Sequence, residues 1–181
     1  MKFNPTPLPG VYLIEPEPIE DERGFFARTF CAKEFARHGL NPHLAQCSIS
    51  YNARAGTLRG MHWQAEPHAE AKLIRCTQGV IYDVALDLRP YSPTFKGWFA
   101  TELSAVNRHM LYIPEGCAHG FQTLTGDCEV CYQISAPYVP EAARGARWND
   151  PAFGIEWPLT TQRVISTRDS GYMDFRVFAG Q

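Results

Sequence analysis

The chain has 181 residues, 45% hydrophobic and 20% charged, with a formal net charge of −2 at pH 7. Such a length suits a single domain, residues 1–181, with a substantial core, and the composition excludes a disordered chain. The charge balance excludes a general nucleic-acid binder, which needs a basic surface to neutralise phosphates, although local arginines can still grip a small phosphorylated ligand.

At the N-terminus, MKFNPTPLPGVYLIEPEP has prolines where a signal peptide needs an apolar helix. No apolar run approaches the roughly 20 residues needed to span a bilayer. No membrane association and a cytoplasmic location are expected. Further along, GVYLIEPEPI, GFFARTF, LAQCSISYN, KLIRCTQ, GVIYDVALDLRP, GWFATELS, HMLYIPEG, GFQTLTG and EVCYQIS read as strands between turn signals. In GVIYDVALDLRP, Val80, Tyr82, Val84, Leu86 and Leu88 alternate with Ile81, Asp83, Ala85 and Asp87. The apolar set is expected to face a core, with Asp83 and Asp87 on a solvated or interface face. AKEFARHGL (32–40) reads as a helix closed by Gly39, and STRDSGYMDF as a short helical turn capped by Ser166 or Thr167. Many short strands and almost no helix imply an all-β sandwich or barrel, with a jelly roll the natural choice and a pocket at its mouth.

Six cysteines are scattered along the chain, and Cys128 and Cys131 form one CxxC. A zinc site needs a second ligand pair and a redox pair prefers a helix N-terminus. In a strand, residues three apart face opposite sides, so ordinary reduced thiols are expected.

The stretch GTLRGMHWQ (56–64) resembles the first motif of cupins, jelly-roll proteins that usually bind metal. Gly56 is followed after five residues by His62, Gln64 stands where a second histidine belongs, and Lys72 stands at the glutamate position before Gly79. Pro114, Gly116 and His119 match the second motif in full. An ammonium repels a divalent cation, so no metal is expected. Two imidazoles near an ammonium suit an anionic intermediate: one imidazole removes a proton and the ammonium stabilises the oxyanion, as in proton abstraction beside a carbonyl. The base needs a carboxylate behind it, and Asp83, Asp87, Asp150 and Asp169 are all candidates. Reprotonation from the opposite face needs an acid, for which Tyr132 and Tyr138 are candidates. Among Arg23, Arg28, Arg54, Arg59 and Arg75, Arg59 is singled out by lying three residues from His62.

DERGFFARTF, LRGMHWQ, KLIRCTQGVIYDVALDLRPYSPTFKGW, IPEGCAHGF, CYQISAPYVPE, RWNDPAFGIEWP and VISTRDS together resemble the dTDP-4-dehydrorhamnose 3,5-epimerases over roughly residues 5–170. The resemblance implies a cupin-type jelly roll that epimerises a nucleotide-diphosphate 4-keto-6-deoxy-sugar without a cofactor. It further implies His62 as general base, Asp169 as its dyad partner and Tyr132 as proton donor. Lys72 and His119 would stabilise the enolate and orient the sugar, and Arg23 and Arg59 would contact the diphosphate. Gln46 and Tyr138 would line the ligand site. The family's homodimers exchange N-terminal strands, so Arg23, Phe26 and residue 28 would serve the partner chain.

Several positions depart from the family pattern. Arg28 stands in place of a glutamate, Cys47 and Ser48 replace Asp-Asn, Ala143 replaces a glutamate and Arg168 replaces a lysine. A reversed charge beside a ligand changes which ligand is tolerated. The reaction type is therefore expected to be retained, with a nucleotide or sugar different from dTDP-6-deoxy-xylo-4-hexulose. A 3,4-ketoisomerase or a non-catalytic sugar-nucleotide-binding cupin are the alternative readings.

Overall fold

The computed structural model describes residues 1–175. In chain order the strands are β1 (Lys2–Pro5), β2 (Tyr12–Glu15), β3 (Ile19–Asp21), β4 (Gly24–Phe26), β5 (Gln46–Asn52), β6 (Thr57–Gln64), β7 (Lys72–Gln78), β8 (Val80–Asp87), β9 (Trp98–Ser104), β10 (Met110–Ile113), β11 (Cys117–Thr123), β12 (Cys128–Ile134), β13 (Ala143–Gly145) and β14 (Val164–Ile165). Two short helices, α1 (Ala32–Arg37) and α2 (Thr167–Ser170), complete the set. One sheet runs β1-β2-β10-β7-β12-β5 and the other β13-β6-β11-β8-β9, with β14 parallel to β6. The all-β jelly-roll expectation holds. No helix among the described residues is long and apolar enough to cross a membrane.

Three apolar layers follow from the two sheets. Between them lie Val11, Ile74, Ile81, Ala85, Leu103, Leu111, Phe121 and Val130. Outside the first sheet, Phe35 of α1 packs on Ile14, Leu73, Met110 and Tyr112. Outside the second, Phe153, Ile155 and Trp157 cover Leu58, Met61, Val84 and Leu86. Gln122 pins that cover by exchanging two hydrogen bonds of 2.9 Å with the backbone of Leu159.

The double cover corrects the reading of β8. Asp83 and Asp87 do not face solvent; both are fully buried, because the alternate apolar set packs under the 153–157 segment and leaves the aspartates with Ile81 and Ala85 on the inner face. GVYLIEPEPI also differs from expectation. It is two strands, β2 and β3, interrupted over residues 16–18 where Pro16 and Pro18 stand. GFFARTF is strand only over Gly24–Phe26. The short strands β1, β13 and β14 and the eight-residue strand β6 are not among the expected strands. Gly39 closes α1 at φ +71°, and Ser166 caps α2 by accepting from the Asp169 amide at 3.0 Å, both as expected.

All six cysteines are free. Cys128 points into the inter-sheet core while Cys131, half-buried, approaches the Thr77 hydroxyl at 3.6 Å. Burial pushes the Cys76 and Cys117 thiols up to about 12.

Asp87 ties down the loop after β8. Its carboxylate accepts from Arg89 Nε and Nη2 at 2.8 Å and from Thr94 Oγ1 at 2.7 Å. Burial alone would raise this carboxyl, but the donors outweigh it and hold it at about 2 against the ordinary 3.8. The folded state therefore gains stability from the carboxylate above pH 4, and loses it as pH falls through the depressed value. Asp87→Asn is expected to cost about 2 kcal/mol at pH 7. In urea titrations the gap to the parent protein narrows as pH falls from 4 to 2; a gap independent of pH would contradict the assignment.

Candidate active site

The site is built on a fault in β6. Residues 59 and 62 are three apart and in a regular strand would face opposite sides. Opposite them on β11, His119 pairs with His62 and Phe121 with Arg59, so β6 carries one extra residue between the two pairs. The bulge turns both Arg59 and His62 toward the inter-sheet space, while Leu58 and Met61 stay in the outer core. Gly60 makes this possible. Its φ is +123°, and a Cβ there would lie 2.5 Å from the Gly120 Cα.

Asp169 arrives from the far end of the chain. Val164 and Ile165 of β14 pair in parallel with Thr57 and Leu58, which places α2 beside the bulge. The Asp169 carboxylate then bridges two groups of β6. Oδ1 lies 2.8 Å from His62 Nε2, and Oδ2 accepts from the Gly60 amide at 3.2 Å. Burial opposes ionisation of Asp169, but the His62 hydrogen bond and charge and the Gly60 amide prevail, and its pKa is lowered. Of the four carboxylates that chemistry left open, the structure brings this one to His62. A carboxylate only accepts, so the neutral imidazole carries its proton on Nε2 and keeps its Nδ1 lone pair free. The His62 side chain is 38% exposed, open enough to meet a ligand.

The other three acids have different partners. Asp83 Oδ1 lies 2.7 Å from His119 Nε2, deep in the core, and its Oδ2 has no partner. Asp87 holds its own loop. Asp150 caps a turn at the Ala152 amide, 2.8 Å, and also accepts from the Phe175 amide.

Across the space, Lys72 of β7 and Tyr132 of β12 belong to the first sheet. The Lys72 ammonium pairs with Glu70 at 2.9 Å and donates to the His62 carbonyl at 3.3 Å. Tyr132 stands edge-on to His119, ring centroids 5.8 Å apart. Burial first, and then the Asp83 charge, raise the Tyr132 pKa, so its phenol stays protonated at neutral pH. Ser48 is the cross-strand neighbour of Tyr132, and Gln46 Nε2 donates to the Ala136 carbonyl at 2.8 Å. Arg59 Nε donates to Asn52 Oδ1 at 2.8 Å. Arg168 donates to Tyr172 Oη at 2.9 Å, and Tyr138 is exposed nearby as a further partner of its guanidinium.

Two expected ligand contacts have partners elsewhere and a third is exposed. Arg23 pairs with Asp21 inside the β3–β4 hairpin, and Phe26 of that hairpin is exposed. Arg28 pairs with Glu34 of α1 at 2.9 Å, beside a cleft of about 530 Å³ that Phe26 also lines. Gln64 is not directed at the site either. It is buried and clamps the 137–139 segment, donating to the His68 and Pro137 carbonyls and accepting from the Val139 amide. Among the described residues, no three His, Cys, Asp or Glu side chains converge as a metal-ligand group.

Sequence reasoning missed the pairing of Asp83 with His119, the Glu70 partner of Lys72, and Asn52 behind Arg59. Glu70 was available from spacing, since in extended chain a residue two positions away shares a face.

The arrangement can take a proton at His62 Nδ1, hold negative charge near Lys72 and His119, and return a proton from Tyr132 on the opposite sheet. Gly60→Ala tests the bulge on which this rests. It is expected to destabilise the fold by about 2 kcal/mol or more in urea unfolding, from strain at positive φ and overlap with Gly120. A loss under about 0.5 kcal/mol, the range of an ordinary surface substitution, would show that the bulge does not require glycine.

The sequence and the fold both have known relatives. The family model described as dTDP-4-dehydrorhamnose 3,5-epimerase matches residues 5–176. A dTDP-4-dehydrorhamnose 3,5-epimerase of Sinorhizobium fredii is 44% identical over 170 residues, covering 94% of this chain and 87% of the relative. The crystal structure of the enzyme of that name from Elizabethkingia anophelis superposes with a TM-score of 0.94 at 39% identity, covering 97% of this chain and 96% of that one. The Bacillus anthracis enzyme, crystallised with TDP and PPi bound, gives a TM-score of 0.92 at 40% identity over 96% of this chain and 99% of that one.

Proposed function

The chain belongs to the dTDP-4-dehydrorhamnose 3,5-epimerase family of isomerases, and we propose that it epimerises a nucleotide-diphosphate 4-keto-6-deoxy-sugar at C3, C5 or both. The observation that carries this reading is the His62–Asp169 pair facing Tyr132 across the inter-sheet space. Both carbons flank the C4 carbonyl, so their protons are acidified by enolate formation. His62 Nδ1 takes the proton, and Asp169 supports the imidazolium that forms. The electron pair moves onto the C4 oxygen, stabilised by the Lys72 ammonium and by His119 backed by Asp83. Tyr132 then gives its phenolic proton to the opposite face of the same carbon, which inverts it. Solvent restores both residues to their starting protonation states. Redox equivalents are neither consumed nor produced.

Arg59, Gln46, Ser48, Tyr138 and Arg168 are read as contacts to the nucleotide and diphosphate. Arg23, Phe26 and Arg28 are read as contacts made in a homodimer through strand exchange. In support, the β3–β4 hairpin is exposed over its whole length, and edge strand β5 presents Ile49 (67% exposed) and Tyr51 (55% exposed). Six free thiols suit a reducing, cytoplasmic setting. Arg28 already has a partner in Glu34, and Ala143 offers only a methyl group where a carboxylate is common in the family. These positions favour a nucleotide or sugar other than that of dTDP-6-deoxy-xylo-4-hexulose.

Incubation in deuterated water with 4-keto-6-deoxy-sugars carrying dTDP, CDP, UDP or GDP tests the function. Deuterium at C3 or C5 is expected, with His62→Ala lowering the exchange rate about 10³-fold while nucleotide affinity stays within about threefold. A displaced carbonyl would mark a ketoisomerase instead, absence of exchange across the panel a binding protein, and full turnover in His62→Ala would remove the base assignment.

A further inference from the structure

The imidazole of His62 has two cross-strand neighbours. On β11 it is His119; on β13 it is Gly145, which offers no side chain. The missing side chain is replaced by a ring from elsewhere. A Cβ built on Gly145 would lie 2.0, 2.2 and 2.5 Å from Cζ, Cε2 and Cε1 of Tyr172. Gly145 is not in the left-handed region, so its backbone conformation suits alanine, and the nearest obstacle to a side chain there is the Tyr172 ring. The ring stands edge-on to His62 with centroids 6.0 Å apart, at 70°.

The segment carrying Tyr172 is held on both sides. Before it, Asp169 is bound to His62 and Gly60. After it, Asp174 pairs with Arg147, the Phe175 amide donates to Asp150, and the Phe175 ring packs on Trp63 and Phe153. The Tyr172 hydroxyl is occupied by Arg168. Half-buried, the ring walls the space beside the base on the side away from His119.

We infer that Tyr172 is a specificity-determining residue: its ring bounds the sugar space beside His62 and so sets which of the two carbons flanking the carbonyl is presented to Nδ1. The inference rests on the proposed epimerase reading. One base serves C3 and C5 in turn only if the sugar can turn over it, and the ring occupies room that such a movement needs. Removing the ring therefore changes regiochemistry, whereas a merely structural role changes both rates together.

The test uses dTDP-6-deoxy-xylo-4-hexulose, or the substrate found in the panel above, in deuterated water. Initial rates of deuterium entry at C3 and C5 are read by NMR for the parent, Tyr172→Ala, Tyr172→Phe and Gly145→Ala. In Tyr172→Ala the C3 to C5 rate ratio is expected to shift by about fivefold or more, or a second position to begin exchanging where the parent exchanges one. Gly145→Ala is expected to follow it, because the new methyl displaces the same ring. Tyr172→Phe, which keeps the ring, stays within about twofold of the parent ratio. Thermal melts confirm that each variant is folded, and the two independent routes to displacing the ring guard against failure of either. A parent that exchanges while both ring-displacing variants keep its ratio would overturn the role of Tyr172 alone. A parent that exchanges nothing would overturn the epimerase reading and this inference with it.

Discussion

The contact that organises the molecule is the bridge from the Asp169 carboxylate to His62 Nε2 and the Gly60 amide. It joins residues 107 positions apart and fastens the end of the described chain to the bulge in β6. Much of the fold converges on making it. Gln122 fixes the covering segment on the second sheet, β14 zips along the start of β6, and Ser166 caps the turn of helix that presents Asp169. The carboxylate in turn selects the tautomer of the imidazole. Backbone geometry, long-range topology and proton chemistry meet in one side chain.

A second regularity emerges around the inter-sheet space. Both imidazoles and the ammonium have a carboxylate of their own: Asp169 for His62, Asp83 for His119 and Glu70 for Lys72. Burying such groups without partners costs several kcal/mol, so a pocket rich in them persists only when they are paired. The pairing also orients them. Three donors or acceptors are held around one space, with the neutral phenol of Tyr132 among them, and water need not reorganise as charge develops on a ligand. The same logic explains why Lys72 at a position where cupins usually carry a glutamate is tolerated: Glu70, two residues earlier, supplies the compensating charge.

The strands were readable because period-two alternation and Pro/Gly punctuation are local. Thus β7, β9 and β12 fall where KLIRCTQ, GWFATELS and EVCYQIS placed them. What escaped was set by distant parts of the chain. Asp83 and Asp87 looked solvated because the alternation in β8 suggests one wet face, whereas the 153–157 segment buries the other side and turns the aspartates inward. The bulge at Gly60 leaves no mark in a hydrophobic pattern, yet it decides that Arg59 and His62 share a face. Spacing could not choose among four acids for His62; the resemblance pointed to Asp169, and the chain path brings it there. At Gln64 the motif position leaves the side chain's partners open, and the amide clamps a neighbouring segment.

The central claim is that Asp169 holds the His62 proton on Nε2 and leaves Nδ1 as the base. Nitrogen-15 NMR of the His62 ring, assigned by comparison with His62→Ala, reads this directly at a pH where the imidazole is neutral. The account predicts a protonated, pyrrole-type Nε2 and an unprotonated, pyridine-type Nδ1, with that preference lost in Asp169→Ala. A proton resident on Nδ1 in the parent protein would contradict it, since no free lone pair would then face the ligand space.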